Sequence, residues 1–202
     1  MGRPARHTAD DLLDAAIRLF ATEGARGVTM SAVARAVGAP SGSVYHRFPD
    51  RPALLAGAWL RTVDRFQDGY LEVLAREPAE VAAVEAAAHV VRWCRKRPDE
   101  GKVLQAGRRE FGPDRWSAED HARAERAERR LESALRAAVR RLRPVTGAGT
   151  EEVMLVLVDL PHAVARRYLA RGEPPPPRAV DLITRAARTL LASGRPHPTA
   201  SA

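Results

Sequence analysis

The feature that most constrains the fold is a pair of short helical patterns that meet at Gly38, between residues 29 and 48. Apolar side chains recur at helical spacing on both sides of this glycine, which readily takes the positive φ that a tight turn needs. Thr29 can cap the first helix, and Pro40 suits the first turn of the second. The spacing predicts a helix-turn-helix, whose second helix can lie in a DNA major groove.

The composition favours an all-α fold around this motif. The chain has 202 residues, of which 45% are hydrophobic and 29% charged, so it can fold around a sizeable core. Much of the apolar content is alanine, a strong helix former, whereas aromatic residues make up only 5%. We therefore predict a small N-terminal helix-turn-helix domain of three helices, followed by a larger helical domain, with about nine helices in total.

Capping residues and helix breakers place these helices along the chain. Thr8 and Asp11 form a capping-box pattern before the first helix, and Asp50 can cap the fourth. The helices are expected near residues 9–24, 30–37, 40–46, 51–74, 78–97, 100–111, 117–143, 151–171 and 180–192. The predicted domains are residues 1–49, the helix-turn-helix domain, and residues 50–192, the larger helical domain, with a disordered tail at 193–202.

The net charge is compatible with a polyanionic partner. Lys and Arg number 33 against 25 Asp and Glu, which gives a net charge of +8 and a pI near 10.8. Such a charge favours nucleic-acid binding. Nearly all the cations are arginine, however, and an Arg-rich, Ala-rich composition also follows from a coding bias, so charge alone does not decide the question.

Several features favour a cytoplasmic location. The single cysteine, Cys94, cannot form an intramolecular disulfide, which fits a reducing compartment. The longest aliphatic run, 153–158, has six residues, far short of the roughly 20 that span a bilayer. The first residues lack the apolar core of a signal peptide. We expect no membrane association.

Patterns typical of catalysis or metal binding are missing from the sequence. Ser41-Gly42-Ser43 is not a nucleophile elbow, and Gly147-Ala148-Gly149-Thr150 lacks the lysine of a P-loop. No histidine pair has the His-x-x-x-His spacing of a metal site. We therefore predict that the protein is not an enzyme and that it has neither a cofactor nor a metal centre.

The segment from about Thr8 to Leu55 resembles the amino-terminal domain of TetR-family transcriptional regulators. An ordered set of residues carries this resemblance: Phe20, Gly24, Thr29, Val33-Ala34, Gly38, Gly42, Val44-Tyr45 and Phe48. The resemblance implies a cytoplasmic homodimer that binds a pseudo-palindromic DNA operator. It also implies a helical carboxy-terminal domain that holds a small-molecule effector, which usually relieves repression.

The candidate DNA contacts lie in and around the predicted helix-turn-helix. Thr29 can offer its hydroxyl and the N–H groups of a helix start to a phosphate. Ser41, Gly42 and Ser43 are candidates for base readout. The resemblance implies that Tyr45, His46 and Arg51 contact the DNA backbone. The alternatives are a structural aromatic for Tyr45 and a solvent-exposed helix end for His46. Arg3 and Arg6 could reach a minor groove or form a basic tail.

Candidates for the effector site and the dimer interface lie in the rest of the chain. The effector candidates are Trp59, Phe66, Trp93, Phe111, Trp116 and His162, because ligand sites are mostly apolar with a few polar groups. The alternative for each aromatic residue is ordinary core. The interface candidates are Val153, Leu157, Val164, Ile183 and Leu190, which would suit an intersubunit four-helix bundle. Their alternative is an intrachain core. Pro161 is expected either to kink or to break the helix that carries the first three.

Two rival functions remain open on the sequence alone. The first is a DNA-binding regulator whose carboxy-terminal domain has no small-molecule effector. The second is a small helical enzyme or carrier that retains a vestigial helix-turn-helix. Sequence-specific DNA binding would exclude the second rival, and a ligand that releases the DNA would exclude the first.

Overall fold

The computed structural model describes residues 7–193, and within that range all of its regular structure is helical, as predicted. The α-helices are α1 (Ala9–Gly27), α2 (Met30–Val37), α3 (Ser41–Tyr45), α4 (Arg51–Leu74), α5 (Ala79–Lys96), α6 (Pro98–Ala106), α7 (Ala118–Thr146), α8 (Thr150–Met154), α9 (Leu160–Leu169) and α10 (Pro177–Ser193). Two 3₁₀ turns, Arg108–Phe111 and Pro113–Arg115, lie between α6 and α7, and a π turn, Leu155–Asp159, joins α8 to α9.

The predicted side-chain caps of α1, α2 and α4 are confirmed. The Thr8 hydroxyl accepts a hydrogen bond from the Asp11 N–H at 3.2 Å, and the Asp11 carboxylate accepts one from the Thr8 N–H at 2.7 Å. Thr29 caps α2 through the Ala32 N–H at 3.1 Å, and Asp50 caps α4 in the same way. These bonds satisfy N–H groups that a helix start otherwise leaves without a partner, so local sequence sets where these helices begin.

The chain forms two compact units, and each contains parts that are distant in sequence. The first unit comprises the residues up to Arg65 together with Asp99–Arg126, and the second comprises Phe66–Pro98 together with the residues from Ala127 onward. This division differs from the boundary predicted between residues 49 and 50, which remains a prediction about functional domains. Of the predicted tail, Ser193 ends α10, and residues 194–202 lie outside the described range.

An aromatic layer holds the first unit together. The Phe111 ring, which is fully buried, stacks on Phe20 of α1 at a centroid distance of 4.4 Å and lies 5.3 Å from Trp59 of α4. The Trp116 indole N–H donates to the Phe111 carbonyl at 2.9 Å. Residues 99–126 thus complete the core on which the helix-turn-helix packs.

The core of the second unit is built largely from α5, α7 and the last three helices. Pro161 stands just after the π turn, and it cannot donate the backbone hydrogen bond that the Leu157 carbonyl would accept in a regular helix. The Tyr70 hydroxyl donates to that carbonyl at 3.1 Å instead. Burial raises the pKa of Tyr70 well above its ordinary value, so the phenol keeps the proton that it donates.

The bond between Tyr70 and Leu157 yields a test of stability. Replacing Tyr70 with Phe should lower the free energy of unfolding by about 1–3 kcal/mol, because the buried Leu157 carbonyl loses its donor. Chemical denaturation followed by circular dichroism measures the effect. Tyr168→Phe, in the same unit, is the matched control and should change stability less. Equal stability of wild type and Tyr70→Phe would contradict the role of this hydrogen bond.

Candidate functional site

The turn between α2 and α3 has the geometry that its glycine predicts. Gly38 lies in the left-handed region, with φ 67° and ψ 30°, and its N–H donates to the Arg35 carbonyl at 3.1 Å. The next N–H, from Ala39, donates to the Ala34 carbonyl at 2.9 Å. These bonds close the end of α2 and reverse the chain into α3.

The face of α3 that points away from the core carries the predicted base-reading residues. Val44 is fully buried and anchors the helix, whereas the other side chains of Ser41–His46 are exposed. Tyr45 is 54% exposed, which rules out the alternative that it closes the core. A Cβ placed on Gly42 would meet no atom within 4 Å, so this position leaves open space beside the helix. The exposed face of α3 is short, polar and accessible.

A surface cleft of about 510 Å³ lies beside α3. Its lining includes the predicted DNA contacts Gly42, Ser43 and His46. It also includes His7 and the cation Arg47, which were not among the predicted DNA contacts. The Arg47 side chain is exposed. Its position directly after the predicted recognition helix could have identified it as a DNA contact, because a long cationic side chain there can reach the phosphate backbone.

Arg51 does not lie as predicted for a phosphate contact. Its Nε donates to the Val28 carbonyl at 2.7 Å, and one of its terminal nitrogens donates to the Ala25 carbonyl. The guanidinium therefore caps the carboxy-terminal end of α1, where carbonyls lack helical partners and the helix dipole favours a cation. This correction gives Arg51 a role in holding α1 to the start of α4.

Arg51→Gln should therefore reduce stability, by about 1.5–3 kcal/mol, because it removes two charge-assisted hydrogen bonds to backbone carbonyls. Thermal and denaturant unfolding measure this change. Arg47→Gln is the matched control, since that arginine is exposed, and it should leave stability within about 0.5 kcal/mol of the wild type. If Arg51→Gln were as stable as Arg47→Gln, Arg51 would not be a structural clamp.

The predicted effector residues divide between the two units. Trp59, Phe111 and Trp116 pack in the aromatic layer of the first unit, which supports the ordinary-core alternative for these three. Phe66, Trp93 and His162 belong to the second unit. There the rings of Phe66 and Trp93 meet edge to face at 5.3 Å.

Phe66 and His162 also line an apolar cavity of about 120 Å³ in the second unit. Its remaining walls come from α4, α5, α7 and the π turn, and the residues are Tyr70, Val90, Leu131, Leu157 and Val158. His162 is exposed to solvent on its outer side. Partial burial lowers the pKa of His162, and the Arg166 charge lowers it further against the opposing effect of Asp159. The imidazole is therefore neutral near pH 7, and none of the residues within 7–193 that line the cavity carries a charge.

His89 lies close to this cluster and was not among the predicted effector residues. Its ring is 6.0 Å from Phe66 and 6.3 Å from Tyr70, and its Nε2 is buried without a hydrogen-bond partner. Burial lowers its pKa, with further lowering by Arg92 and Lys96. A Cβ on Gly69 would lie 2.9 Å from the His89 ring, so this glycine makes room for the imidazole. His89 packs as a neutral ring.

The burial of three predicted interface residues corrects the dimer prediction. Val153, Leu157 and Ile183 are at most 1% exposed, because they pack in the core of their own unit. They offer no surface to a second copy, in agreement with the intrachain alternative. Val164 and Leu190 are half-buried and remain candidates. Leu182 of α10, which was not among the predicted interface residues, is 47% exposed.

Two other kinds of site are absent within residues 7–193. No group of three or more His, Cys, Asp or Glu residues there could hold a metal ion. No helix in that range combines the length and apolarity needed to cross a bilayer. Burial raises the pKa of the Cys94 thiol to about 12, so this cysteine stays protonated within the core.

The all-helical fold and the exposed α3 define a protein of the helix-turn-helix class. Residues 12–58 match the family described as bacterial regulatory proteins, tetR family. A curated relative, the HTH-type transcriptional regulator AcrR of Shigella flexneri, is 29% identical over 89 residues. That alignment covers 43% of this chain and spans 41% of the length of the relative. The amino-terminal part of the chain is therefore similar to that of TetR-family regulators.

Solved structures of the family share the fold over nearly the whole chain. The TetR-family regulator PfmR of Thermus thermophilus is 19% identical with a TM-score of 0.70, covering 92% of this chain and 99% of that one. The regulator FadR of Bacillus subtilis, solved in complex with stearoyl-CoA, is 13% identical with a TM-score of 0.68. The match covers 93% of this chain and 100% of FadR. At these identities the likeness shows the fold.

Proposed function

We propose that this chain is a transcriptional regulator that binds double-stranded DNA through α3. The observation that carries the proposal is the division of α3 into a buried anchor, Val44, and an exposed face that includes Ser41, Ser43 and Tyr45. A recognition helix needs both, because its anchor fixes the helix while the free face enters a major groove. The match of residues 12–58 to a family of regulatory proteins favours this function over the enzyme or carrier alternative.

The proposed assembly is a homodimer on a pseudo-palindromic operator, acting as a repressor in the cytoplasm. Two copies of a recognition helix related by a two-fold axis read two half-sites about one helical turn apart. The experiment that tests this function is selection of bound sequences from random DNA by the full-length protein. Enrichment of an inverted repeat would support it. A lack of any enriched sequence, in a protein shown to be folded, would overturn it.

Two substitutions on the DNA-binding face should weaken operator binding. Arg47→Gln should reduce the slope of log affinity against log salt by about 0.9 for each phosphate that the variant no longer neutralises. Tyr45→Ala should weaken binding roughly tenfold, because a hydrogen bond and its apolar contact disappear. Fluorescence anisotropy with the selected operator, at a series of salt concentrations, measures both effects.

The control is Arg188→Gln, which removes an exposed arginine of the second unit and should alter neither affinity nor the salt slope. Because Tyr45 and Arg47 are both exposed, their variants should unfold at the wild-type temperature. Normal operator affinity of both variants would rule out docking through this face. An equal decrease in the Arg188 variant would point to a general effect of charge.

The dimer contact is proposed to use apolar residues that remain accessible on α9 and α10. Leu182 is exposed, whereas Val164 and Leu190 are half-buried. Leu182 and Leu190 flank the buried edge of α10 formed by Ala179, Ile183 and Ala187. A second copy that covers these side chains would remove apolar surface from water, which is the main force in most associations.

Leu182→Glu should therefore shift the monomer–dimer equilibrium toward monomer by at least about tenfold, because a carboxylate is costly to bury without a partner. Analytical ultracentrifugation over a concentration series measures the shift. The control is Val81→Glu. Val81 is similarly exposed, and it lies by another face of α10, next to Arg188 and Leu191. A Leu182→Glu protein that dimerises like the wild type would place the contact elsewhere.

The apolar cavity of the second unit is the proposed effector site. Its described lining is mostly aromatic and aliphatic, with polar groups at Tyr70 and His162, as expected for a small-molecule site. The π turn that forms part of its wall is a further indication, because such turns occur often at functional sites. The rival is a regulator in which this cavity is an unfilled packing defect.

A further inference from the structure

The size and lining of the cavity in the second unit limit what it can bind. Its volume is about 120 Å³. An engineered protein cavity of about 150 Å³, lined by leucine, isoleucine and phenylalanine, stays dry and binds benzene. Drug-sized ligands occupy pockets of about 300–1,000 Å³. This cavity is open to solvent on one side, and the part that its walls surround has room for about one ring.

The walls of the cavity favour an uncharged, aromatic occupant. Phe66 and Tyr70, whose rings stack 5.4 Å apart, supply an aromatic wall, and Val90, Leu131, Leu157 and Val158 supply aliphatic surface. The described residues that line the cavity include no cation, so an anionic ligand would lose its hydration without gaining a partner among them. An aromatic ring gains offset or edge-to-face contacts with such a wall in addition to its apolar burial.

The polar groups of the cavity allow one further contact. The Tyr70 hydroxyl already donates its proton to the Leu157 carbonyl, so toward a ligand its oxygen can only accept. His162 presents an imidazole at the edge of the site. A single hydroxyl on the ligand can donate to the Tyr70 oxygen, whereas several polar groups would lie against aliphatic walls.

From these observations we propose that the cavity binds a small uncharged compound built on one aromatic ring, of the size of toluene or phenol. The role of this ligand as an effector rests on the proposed function, whereas its binding to the cavity does not. It differs from the case of the Bacillus subtilis FadR structure, which holds stearoyl-CoA. The cavity has room for only a short part of a long acyl chain, and its described lining offers a charged nucleotide no cation.

The test is titration of the full-length protein with toluene, phenol, benzoate and stearoyl-CoA, followed by calorimetry and by NMR of the protein methyl groups. Toluene and phenol should bind, with ring-current shifts at Val90, Leu131 and Leu157. Benzoate should bind at least about tenfold more weakly, because its carboxylate finds no cation in the cavity. Absence of binding by both neutral rings up to their solubility would overturn the proposal, as would equal binding of benzoate or preferential binding of stearoyl-CoA.

A matched pair of variants on α5 locates the binding. Val90→Phe fills the cavity and should weaken toluene binding at least about tenfold, whereas Val81→Phe, on the exposed surface, should bind as the wild type does. If Val90→Phe fails to fold, the methyl shifts of the wild-type protein on toluene binding locate the site. Shifts confined to residues outside the cavity would refute binding in the cavity. Toluene binding that leaves the operator complex intact would refute the effector role alone, and the ligand assignment would stand.

Discussion

The burial of Phe111 between Phe20 and Trp59 is the contact on which the first unit depends. It brings a segment from far along the chain against α1 and α4, and the Trp116 indole locks that segment through the Phe111 carbonyl. The short helices α2 and α3 could bury little apolar surface by themselves, and isolated helices of that length are marginal in water. The helix-turn-helix is therefore presented by a core that includes residues outside the predicted boundary at residue 49.

Four cations of the first unit bind partners within that unit. Arg61 is 8% exposed and binds Asp10 and Asp14, while Arg65 pairs with Glu100 at 2.9 Å. Arg51 and Lys102 donate to backbone carbonyls of α1 or of the turn that follows it. These cations position α4 and α6 against α1. The net charge of +8 already subtracts the carboxylates of such pairs and does not say where the cations lie. Contacts with phosphates depend instead on exposed side chains such as Arg47.

The fold could be predicted from the sequence where local chemistry decides it. Thr8, Thr29 and Asp50 cap their helices, and Gly38 turns the chain, because each effect involves neighbours only a few residues away. The exposed face of α3 followed from the same periodicity. The role of Arg51 did not, because its partners are the carbonyls of Ala25 and Val28, more than twenty residues earlier. Helical spacing identified the cation but could not identify what lies opposite it.

The effector and interface residues were harder to predict for a related reason. An aromatic or aliphatic side chain at helical spacing has the same pattern in a core, a cavity wall or a contact surface. Only packing distinguishes Phe111, which fills a core, from Phe66, which borders a cavity. Val153 was expected at an interface because the apolar block 153–158 has no polar side, and Ile183 because the last helix would complete an intersubunit bundle. The second unit buries both residues itself.

Pro161 links this packing to the shape of the cavity. The expected kink takes the form of a π turn, in which the Leu160 N–H donates to the Leu155 carbonyl. Leu157 and Val158 of that turn both line the cavity. A regular helix would direct adjacent side chains about 100° apart, and the extra residue of a π turn changes which of them face inward. Because the Tyr70 hydroxyl satisfies the Leu157 carbonyl, the irregular backbone is stable without solvent or ligand. The wall is thus formed before any ligand arrives, so binding need not order it, and the affinity of a small ring depends mainly on how well it fills the space.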